Sequence, residues 1–178
     1  MKGMRSRSRS RAKAGIAVLI LSPLWRATGL RPVQTVRRAA QAALAACETV
    51  GTPDLSVALS NDAELRELNR IWRGKDRPTN VLAFPSGAVA AGGRSPLGDI
   101  ILAFETVALE AERGRVAVSD HLSHLVVHGV LHLMGYDHEL KTAAQAMERL
   151  EVKVLAELGI SDPYTIVPGA ARLRVGQR

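Results

Sequence analysis

Three histidines in one short segment have the spacing of a metal site. His128 and His132 are four residues apart, so in a helix they lie one turn above each other on a single face. Gly135 is suited to end that helix, and the turn after it would bring His138 back toward the same face. Three imidazole nitrogens can hold a zinc ion and leave its fourth position open, which is typical of a catalytic zinc site. We therefore predict a zinc hydrolase.

The helix that carries these histidines is expected to be buried, because apolar residues surround it on almost every side. They are Leu122, Leu125, Val126, Val127, Val130, Leu131, Leu133 and Met134. At about 100° per residue, four histidines fall within roughly 80° of helical arc; they are His121, His124, His128 and His132. One buried histidine is usually a hydrogen-bonded core residue, but a stripe of four indicates a metal site.

The same spacing raises a metallopeptidase as an alternative. Histidines at 128, 132 and 138 with glycine at 135 reproduce the H-x-x-x-H-x-x-G-x-x-H skeleton of metzincin proteases. In those enzymes a glutamate follows the first histidine and acts as the general base. This chain has Gly129 at that position. A protease would therefore keep its metal and lack its proton acceptor, which makes it the weaker interpretation.

The net charge of +7 arises at the two ends of the chain. The first fourteen residues carry +6 and the last ten carry +3, whereas residues 15–168 have 15 basic and 17 acidic side chains. Alternating arginine and serine cannot bury enough apolar surface to fold. We predict a disordered basic arm at 1–14, a single domain at 15–165 and a basic tail at 166–178. The arm either binds phosphate backbones without sequence preference or is only solvated.

Cysteine usage and hydropathy indicate a cytoplasmic protein. Cys47 is the one cysteine and has no partner for an internal disulfide, which fits a reducing compartment. Residues 15–21 resemble the apolar region of a secretory signal peptide, but no small-residue cleavage pattern follows them. They are also too few to span a bilayer, which takes about twenty apolar residues. We expect them to form a buried first strand.

Helix and strand patterns alternate along the rest of the domain. A first amphipathic helix begins near Pro32. Asn61 with Glu64 predicts the capped start of a second helix, whose Trp72 is expected to face the core. The remaining elements are strands at about 55–60, 80–84 and 97–102, a loop at 86–96, a helix at 105–112, the histidine helix and a long last helix.

These elements predict an α+β fold, with a small four-stranded mixed sheet packed with about five helices. We expect Ser119 or Asp120 to cap the histidine helix, since both side chains can accept a hydrogen bond from a backbone N–H. The zinc site is expected between this buried helix and the sheet.

Three separated blocks of the sequence carry a resemblance to a known family. They are residues 68–85 (LNRIWRGKDRPTNVLAFP), residues 97–100 (LGDI) and the histidine segment at 128–138, with His124 also on the pattern. With this spacing the chain resembles the YbeY family of single-strand-specific metallo-endoribonucleases over roughly residues 15–165. The resemblance implies a zinc-dependent endoribonuclease that acts in 16S rRNA 3′-end maturation, ribosome biogenesis and ribosome quality control.

A cluster of cations in the first block suits such a function. Four basic residues lie within eight positions; they are Arg70, Arg73, Lys75 and Arg77. This local charge favours phosphate binding by Arg70, Lys75 and Arg77. By resemblance Arg73 lies close to the zinc site, where its planar guanidinium could hold a phosphodiester. The acid among them, Asp76, could order the loop by pairing with a neighbouring cation.

The resemblance also implies roles around one zinc ion. His128, His132 and His138 would be its ligands, and His124 would orient them. Asp99 could orient a ligand or merely cap a strand. The proton acceptor stays open between Asp137, His124 and the zinc-bound hydroxide, and attack by the RNA 2′-hydroxyl is equally compatible.

The implied partners are single-stranded RNA, rRNA, the small ribosomal subunit, ribosomal proteins and an Era-type GTPase, with no membrane partner. A ribosome-assembly factor with a structural zinc is the second alternative, beside the metallopeptidase.

Overall fold

A four-stranded sheet with six helices makes up the described part of the chain. The computed structural model describes residues 14–27, 29–47, 52–87, 94–136 and 141–165. The elements follow in the order β1 (Gly15–Ile20), α1 (Leu24–Ala27), α2 (Pro32–Ala46), β2 (Thr52–Ser60), α3 (Asp62–Arg73), β3 (Val81–Pro85), β4 (Arg94–Ala103), α4 (Phe104–Gly114), α5 (Val118–Leu133) and α6 (Lys141–Glu157). The α+β prediction is confirmed. The helix count of about five missed α1, whose four residues are too few to show a helical period.

The sheet is mixed, as predicted. Its strand order is β1-β2-β4-β3, with β1, β2 and β4 parallel and β3 antiparallel to β4. Val57 of β2 is in register with Val18 on one side and Ile100 on the other. β1 and β3 are therefore the two edges, and β4 lies inside the sheet beside β3.

Two predictions about strands need correction. β1 is half-exposed rather than buried, and Leu19 keeps 49% of its surface. An apolar run alone does not distinguish a central strand from an edge strand, which explains the error. The predicted loop at 86–96 ends earlier, because β4 begins at Arg94 in register with Thr52 of β2.

Helices cover the two faces of the sheet unequally. The main core joins α2, α5 and α6 to one face, on which Ile100 and Leu102 of β4 lie. A smaller cluster joins Leu65 of α3 to the other face, with Leu82 and Ala103. The histidine helix α5 is thus enclosed by protein, whereas α3 covers the opposite face near β3 and β4. No helix among those described is both long and apolar enough to cross a membrane.

The ends of α3 follow the sequence closely. The Asn61 side chain accepts a hydrogen bond from the Glu64 backbone N–H at 3.0 Å, as its capping pattern predicts. Gly74 ends the helix with φ +67°, the left-handed conformation that glycine adopts without a steric penalty. Trp72 is a correction. It is 67% exposed and contacts Phe84 edge-on, with ring centroids 5.8 Å apart.

The start of α5 also differs from the prediction. Ala117 occupies the N-cap position, so Ser119 and Asp120 lie inside the first turn instead of capping it. The helix begins earlier because a helix boundary is set by backbone packing as well as by capping side chains. Ser119 instead donates a hydrogen bond to Asp120 Oδ1 at 3.2 Å.

Candidate metal centre

α5 brings two of the predicted ligands together. His128 and His132 lie one turn apart, with ring centroids 4.5 Å apart and ring planes at 80°. His128 is buried, whereas His132 is half-buried in the last turn. At this separation one nitrogen of each ring can approach a shared ion, since zinc–imidazole distances are about 2.0–2.1 Å. The predicted spacing therefore brings the two rings together, and their role as metal ligands stays a prediction.

Glu151 of α6 lies against two histidines of the stripe, His128 and His124. Its Oε1 lies 2.6 Å from Nδ1 of His128, and its Oε2 lies 3.6 Å from Nε2 of His124. The Tyr164 hydroxyl donates a hydrogen bond to the same carboxylate. Burial alone would raise the pKa of Glu151, but its hydrogen bond to His128 and the attraction of both imidazoles outweigh burial and hold the pKa below the ordinary value. Glu151 is therefore an ionised carboxylate within the core.

The histidine motif did not predict a role for Glu151, although the position of Glu151 in the sequence indicates a buried carboxylate. In α6 it interrupts an apolar stripe formed by Met147, Val154 and Leu155, all buried. A carboxylate on a buried helical stripe needs a polar partner. The chain's histidines on α5 are that partner.

The contact with Glu151 decides how His128 could bind a metal. An ionised carboxylate at Nδ1 favours the tautomer with its proton on that nitrogen, which leaves Nε2 as the metal-binding atom. The third predicted ligand, His138, and the predicted acid–base residue Asp137 lie outside the described residues. Among the residues that are described, no three His, Cys, Asp or Glu side chains are placed to hold a metal ion. The predicted set therefore depends on His138.

Gly129 faces the sheet, on a different side of α5 from Glu151. A Cβ atom at this position would lie 2.9 Å from Cδ1 of Ile100, closer than real contacts allow. The glutamate that a metzincin protease has here would therefore collide with β4. This packing argues against the metallopeptidase alternative. The described carboxylate contacts of His124 and His128 are with Glu151 of α6, and the predicted zinc position between α5 and the sheet stays a prediction.

His121 and His124 have separate environments. His121 Nε2 lies 2.8 Å from Oε2 of Glu110, which also accepts a hydrogen bond from Asn80 at 2.9 Å. Burial lowers the pKa of His121 below its ordinary value, and the attraction of Glu110 opposes this only in part. His124 lies edge-on to Tyr164, with ring centroids 5.7 Å apart. Its 3.6 Å approach to Glu151 is compatible with the predicted supporting role.

The cation cluster divides into paired and unpaired residues. Arg70 pairs with Glu67 at 2.6 Å, and Asp76 pairs with Arg66 at 2.6 Å. Asp76 therefore pairs with a cation, but its partner is Arg66, ten residues upstream in α3, and not a cation of the predicted cluster. Arg73 and Lys75 have no ion pair within the described residues. Partial burial lowers the pKa of Arg73, but an arginine keeps its charge at neutral pH.

Arg77 is the remaining cation of this cluster, and Asp99 lies on β4. The carbonyl of Arg77 accepts a hydrogen bond from Asn69 Nδ2 at 2.8 Å, which fixes the loop after α3. Asp99 is exposed and in register with Phe84 of β3. Opposite residues of an antiparallel pair share a face, so Asp99 lies on the α3 side of the sheet, away from Ile100 and α5. Its predicted role in orienting a histidine has no supporting contact among the described residues.

A series of contacts places the end of α3 and the end of α5 at one end of the sheet. Trp72 contacts Phe84. A side chain at Gly98 of β4 would collide with the Phe84 carbonyl and would lie 3.0 Å from Cδ2 of Leu133. Arg73 follows Trp72 and His132 precedes Leu133. The end of α3, which carries Arg73, and the end of α5, which carries His132, are therefore at the same end of the sheet.

Comparison with known proteins agrees with this arrangement. The family model described as Endoribonuclease YbeY matches residues 29–159. Endoribonuclease YbeY from Paramagnetospirillum magneticum is 50% identical over 157 residues, which is 84% of this chain and 94% of the relative. The protein of that name from Rhodopseudomonas palustris is 44% identical over 151 residues, or 83% and 88% of the two chains.

A solved structure shares the fold. The solution structure of TM1509 from Thermotoga maritima has a TM-score of 0.50 and 26% sequence identity, and the match covers 85% of this chain and 99% of that one. The same elements that carry the histidines and the unpaired arginine are those that the family model spans. The chain therefore belongs to the YbeY endoribonuclease family.

Proposed function

We propose that this protein is a zinc-dependent endoribonuclease that cuts single-stranded RNA. The observation that carries the proposal is that His128 and His132 lie at the same end of the sheet as the end of α3, where Arg73 has no ion pair among the described residues. Glu151 supports His128. Metal ligands alone would fit many hydrolases. A guanidinium that has no ion pair among the described residues, at the same end of the sheet as these ligands, favours a phosphodiester as the group to be cleaved.

The donor set suits zinc. Imidazole nitrogens are common zinc ligands, and a carboxylate on the second nitrogen of a ligand histidine is the usual support. We assign His128, His132 and His138 as the ligands. When bound, the ion would supply Lewis-acid polarisation of the phosphodiester group.

Arg73 holds the substrate phosphate in this proposal. Its guanidinium can donate two parallel hydrogen bonds to phosphate oxygens and stabilise the negative charge that grows there. Lys75 adds a second positive charge in the same loop, whereas Arg70 is already paired with Glu67. Asp137 and His124 are the candidate groups for accepting a proton from the attacking oxygen.

Trp72 explains why the substrate would be single-stranded. Its indole is 67% exposed and contacts Phe84 edge-on. Trp72 directly precedes Arg73 in the chain. An unpaired base can stack on such a ring, whereas a base inside a duplex is already stacked and paired. The ring therefore favours a single strand whose phosphate reaches Arg73.

The cellular substrate in this proposal is rRNA. Membership in the YbeY endoribonuclease family supports action in 16S rRNA 3′-end maturation, ribosome biogenesis and ribosome quality control. The partners would then be the small ribosomal subunit, its proteins and an Era-type GTPase, in the cytoplasm.

The test uses purified full-length protein and one RNA sequence in two forms. We expect the labelled single strand to be cut internally and the same strand in a perfect duplex to remain intact. Chelation should stop cutting, and zinc added in excess of the chelator should restore it. Equal cutting of both forms would contradict the single-strand assignment, and cutting that persists after exhaustive chelation would contradict the metal assignment.

A further inference from the structure

A groove of about 700 Å³ lies at the β1 edge of the molecule, where the chain enters α2. Ile20 at the end of β1 and Val33 in the first turn of α2 are among its apolar lining residues. Its basic residues are Arg26, Arg31, Arg37 and Arg38. A groove of this size is in the range of ligand sites, and four guanidinium groups give it an affinity for anions.

The arginine groove has no ion pair within the part of the chain that the structure describes, although Asp120 lines an adjoining pocket with Arg31 and Arg38. No Asp or Glu is among the residues that line it. Within the described chain, Arg26, Arg31 and Arg37 have no ion pair, and Arg38 donates to the Leu158 carbonyl at 3.1 Å instead of to a carboxylate. Residues 15–168 have 15 basic and 17 acidic side chains, so this concentration of arginine is local.

The chemistry of the groove favours a nucleic-acid backbone. Guanidinium groups match the geometry of phosphate oxygens with paired hydrogen bonds. The apolar lining residues suit riboses and bases, and Gln34, which also lines the groove, offers an amide to them. An acidic protein segment would use the same charges but would not need several forked donors along an apolar surface.

The arginine groove is distinct from the cation cluster of Arg73. β1 and β3 are the opposite edges of the sheet, three strand spacings or about 14 Å apart. Arg73 lies at the end of α3 beside β3, and the groove lies beside β1. A single RNA strand that reaches both would be held at two points of one sheet.

We propose that the arginine groove is a second phosphate-binding site, which holds the substrate RNA away from the cleavage site. This inference rests on the proposed function, because it assigns the groove to the same RNA. The groove would increase affinity for long strands without acting on the cleaved bond.

The test compares two triple variants of the full chain. Arg26→Ala, Arg31→Ala and Arg37→Ala remove three of the four groove charges. Arg38 is kept, because it donates a hydrogen bond to the Leu158 carbonyl. The control replaces three exposed cations elsewhere, Arg113, Arg149 and Lys153, with alanine. Binding of a fluorescent poly(U) strand is followed by anisotropy over a range of salt, with chelator present so that nothing is cut. Circular dichroism and thermal melting confirm that both variants fold.

We expect the groove variant to bind poly(U) at least about tenfold more weakly, with a salt slope smaller by about 2, because each lost phosphate contact to a single strand contributes about 0.7. The control should keep the wild-type slope. A groove variant with the affinity and slope of the control would overturn the inference, as would poly-glutamate competing for the groove as well as poly(U) does.

Cleavage in a separate assay keeps this inference apart from the proposed function. If the wild type cuts no RNA and the groove variant still loses poly(U) binding, the proposed function fails, and the groove binds RNA phosphates but has no part in cleavage. If the wild type cuts RNA and the groove variant binds like the control, the groove assignment fails alone. A short RNA that spans only the cleavage site should be cut equally fast by the groove variant and the wild type.

Discussion

Nδ1 of His128 lies 2.6 Å from Oε1 of Glu151, which joins a residue of α5 to one of α6 across 23 positions of sequence. The contact fixes the orientation of the imidazole and directs its other nitrogen away from α6. Since the carboxylate is buried and ionised, it also needs the histidine as a partner. This pair connects the packing of the last helix to the proposed metal site.

Replacing Glu151 with glutamine should weaken zinc binding. A neutral amide no longer holds the proton on Nδ1 of His128, and loss of such a supporting carboxylate typically costs about 10- to 100-fold in metal affinity. The measurement is competition for zinc with a chromophoric chelator. Glu157→Gln, on an exposed site of the same helix, is the control and should keep wild-type affinity. Equal zinc affinities for the two variants would refute the supporting role of Glu151.

Gly129→Ala should destabilise the fold. The added methyl would lie 2.9 Å from Cδ1 of Ile100, and overpacking of this kind costs about 1–3 kcal/mol. The higher helix propensity of alanine returns about 1 kcal/mol, so we expect a net loss of up to about 2 kcal/mol in chemical denaturation. Adding Ile100→Val, which removes Cδ1, should recover part of the loss in a double-mutant cycle. A variant as stable as the wild type would show that α5 can move away from β4.

Trp72→Ala should weaken binding of single-stranded RNA without affecting folding. Stacking of one base on an aromatic ring is worth about 1–3 kcal/mol, and the indole is largely in solvent. Trp72→Phe should keep most of the affinity. The neighbouring Ile71→Ala is a matched control, since Ile71 is 57% exposed and has no ring. If Trp72→Ala and Ile71→Ala bind RNA equally well, the prediction that a base stacks on Trp72 is wrong.

His121 should make the stability of the protein depend on pH. Burial lowers its pKa below the ordinary 6.5. Glu110, which faces it from α4, opposes this in part, whereas His124 beside it on α5 lowers the pKa further. The unfolded chain therefore binds a proton more readily than the folded chain does. Its stabilising contribution is present above pH 6.5 and is lost as the pH falls through the folded-state pKa.

His121→Gln provides the test of that dependence, because glutamine can still donate a hydrogen bond to Glu110 and does not titrate. The free energy of unfolding should fall less between about pH 7.5 and about pH 5.5 in this variant than in the wild type. The rest of the chain is identical in the two proteins, so the difference between the two decreases reports on His121. An identical decrease in the two proteins would mean that protonation of His121 does not oppose folding.

Local patterns in the sequence predicted what depends on local structure. The burial of α5, the facing of His128 and His132, and the Asn61 cap all follow from helical spacing or from one backbone hydrogen bond. The sequence blocks around Arg73 and the histidines were sufficient to indicate the family.

Features set by packing between distant elements could not be predicted in this way. Glu151 meets His128 only because α6 packs on α5, and Gly129 is required only because Ile100 of β4 lies against it. The exposure of Trp72 depends on where α3 ends relative to β3. The half-exposed state of β1 depends on its place at the sheet edge, which an apolar run does not encode.

The most direct test of the central claim is the effect of Arg73→Ala on RNA cleavage and on binding of the small ribosomal subunit, measured in parallel. We predict that the wild type cuts single-stranded RNA and that the variant, still folded and still bound to the subunit, cuts about 10²- to 10³-fold more slowly, because a group that stabilises charge on the phosphoryl oxygens is lost. Full cleavage by Arg73→Ala would contradict the account. So would a wild type that binds the subunit and cuts no RNA, which is the behaviour of an assembly factor with a structural zinc.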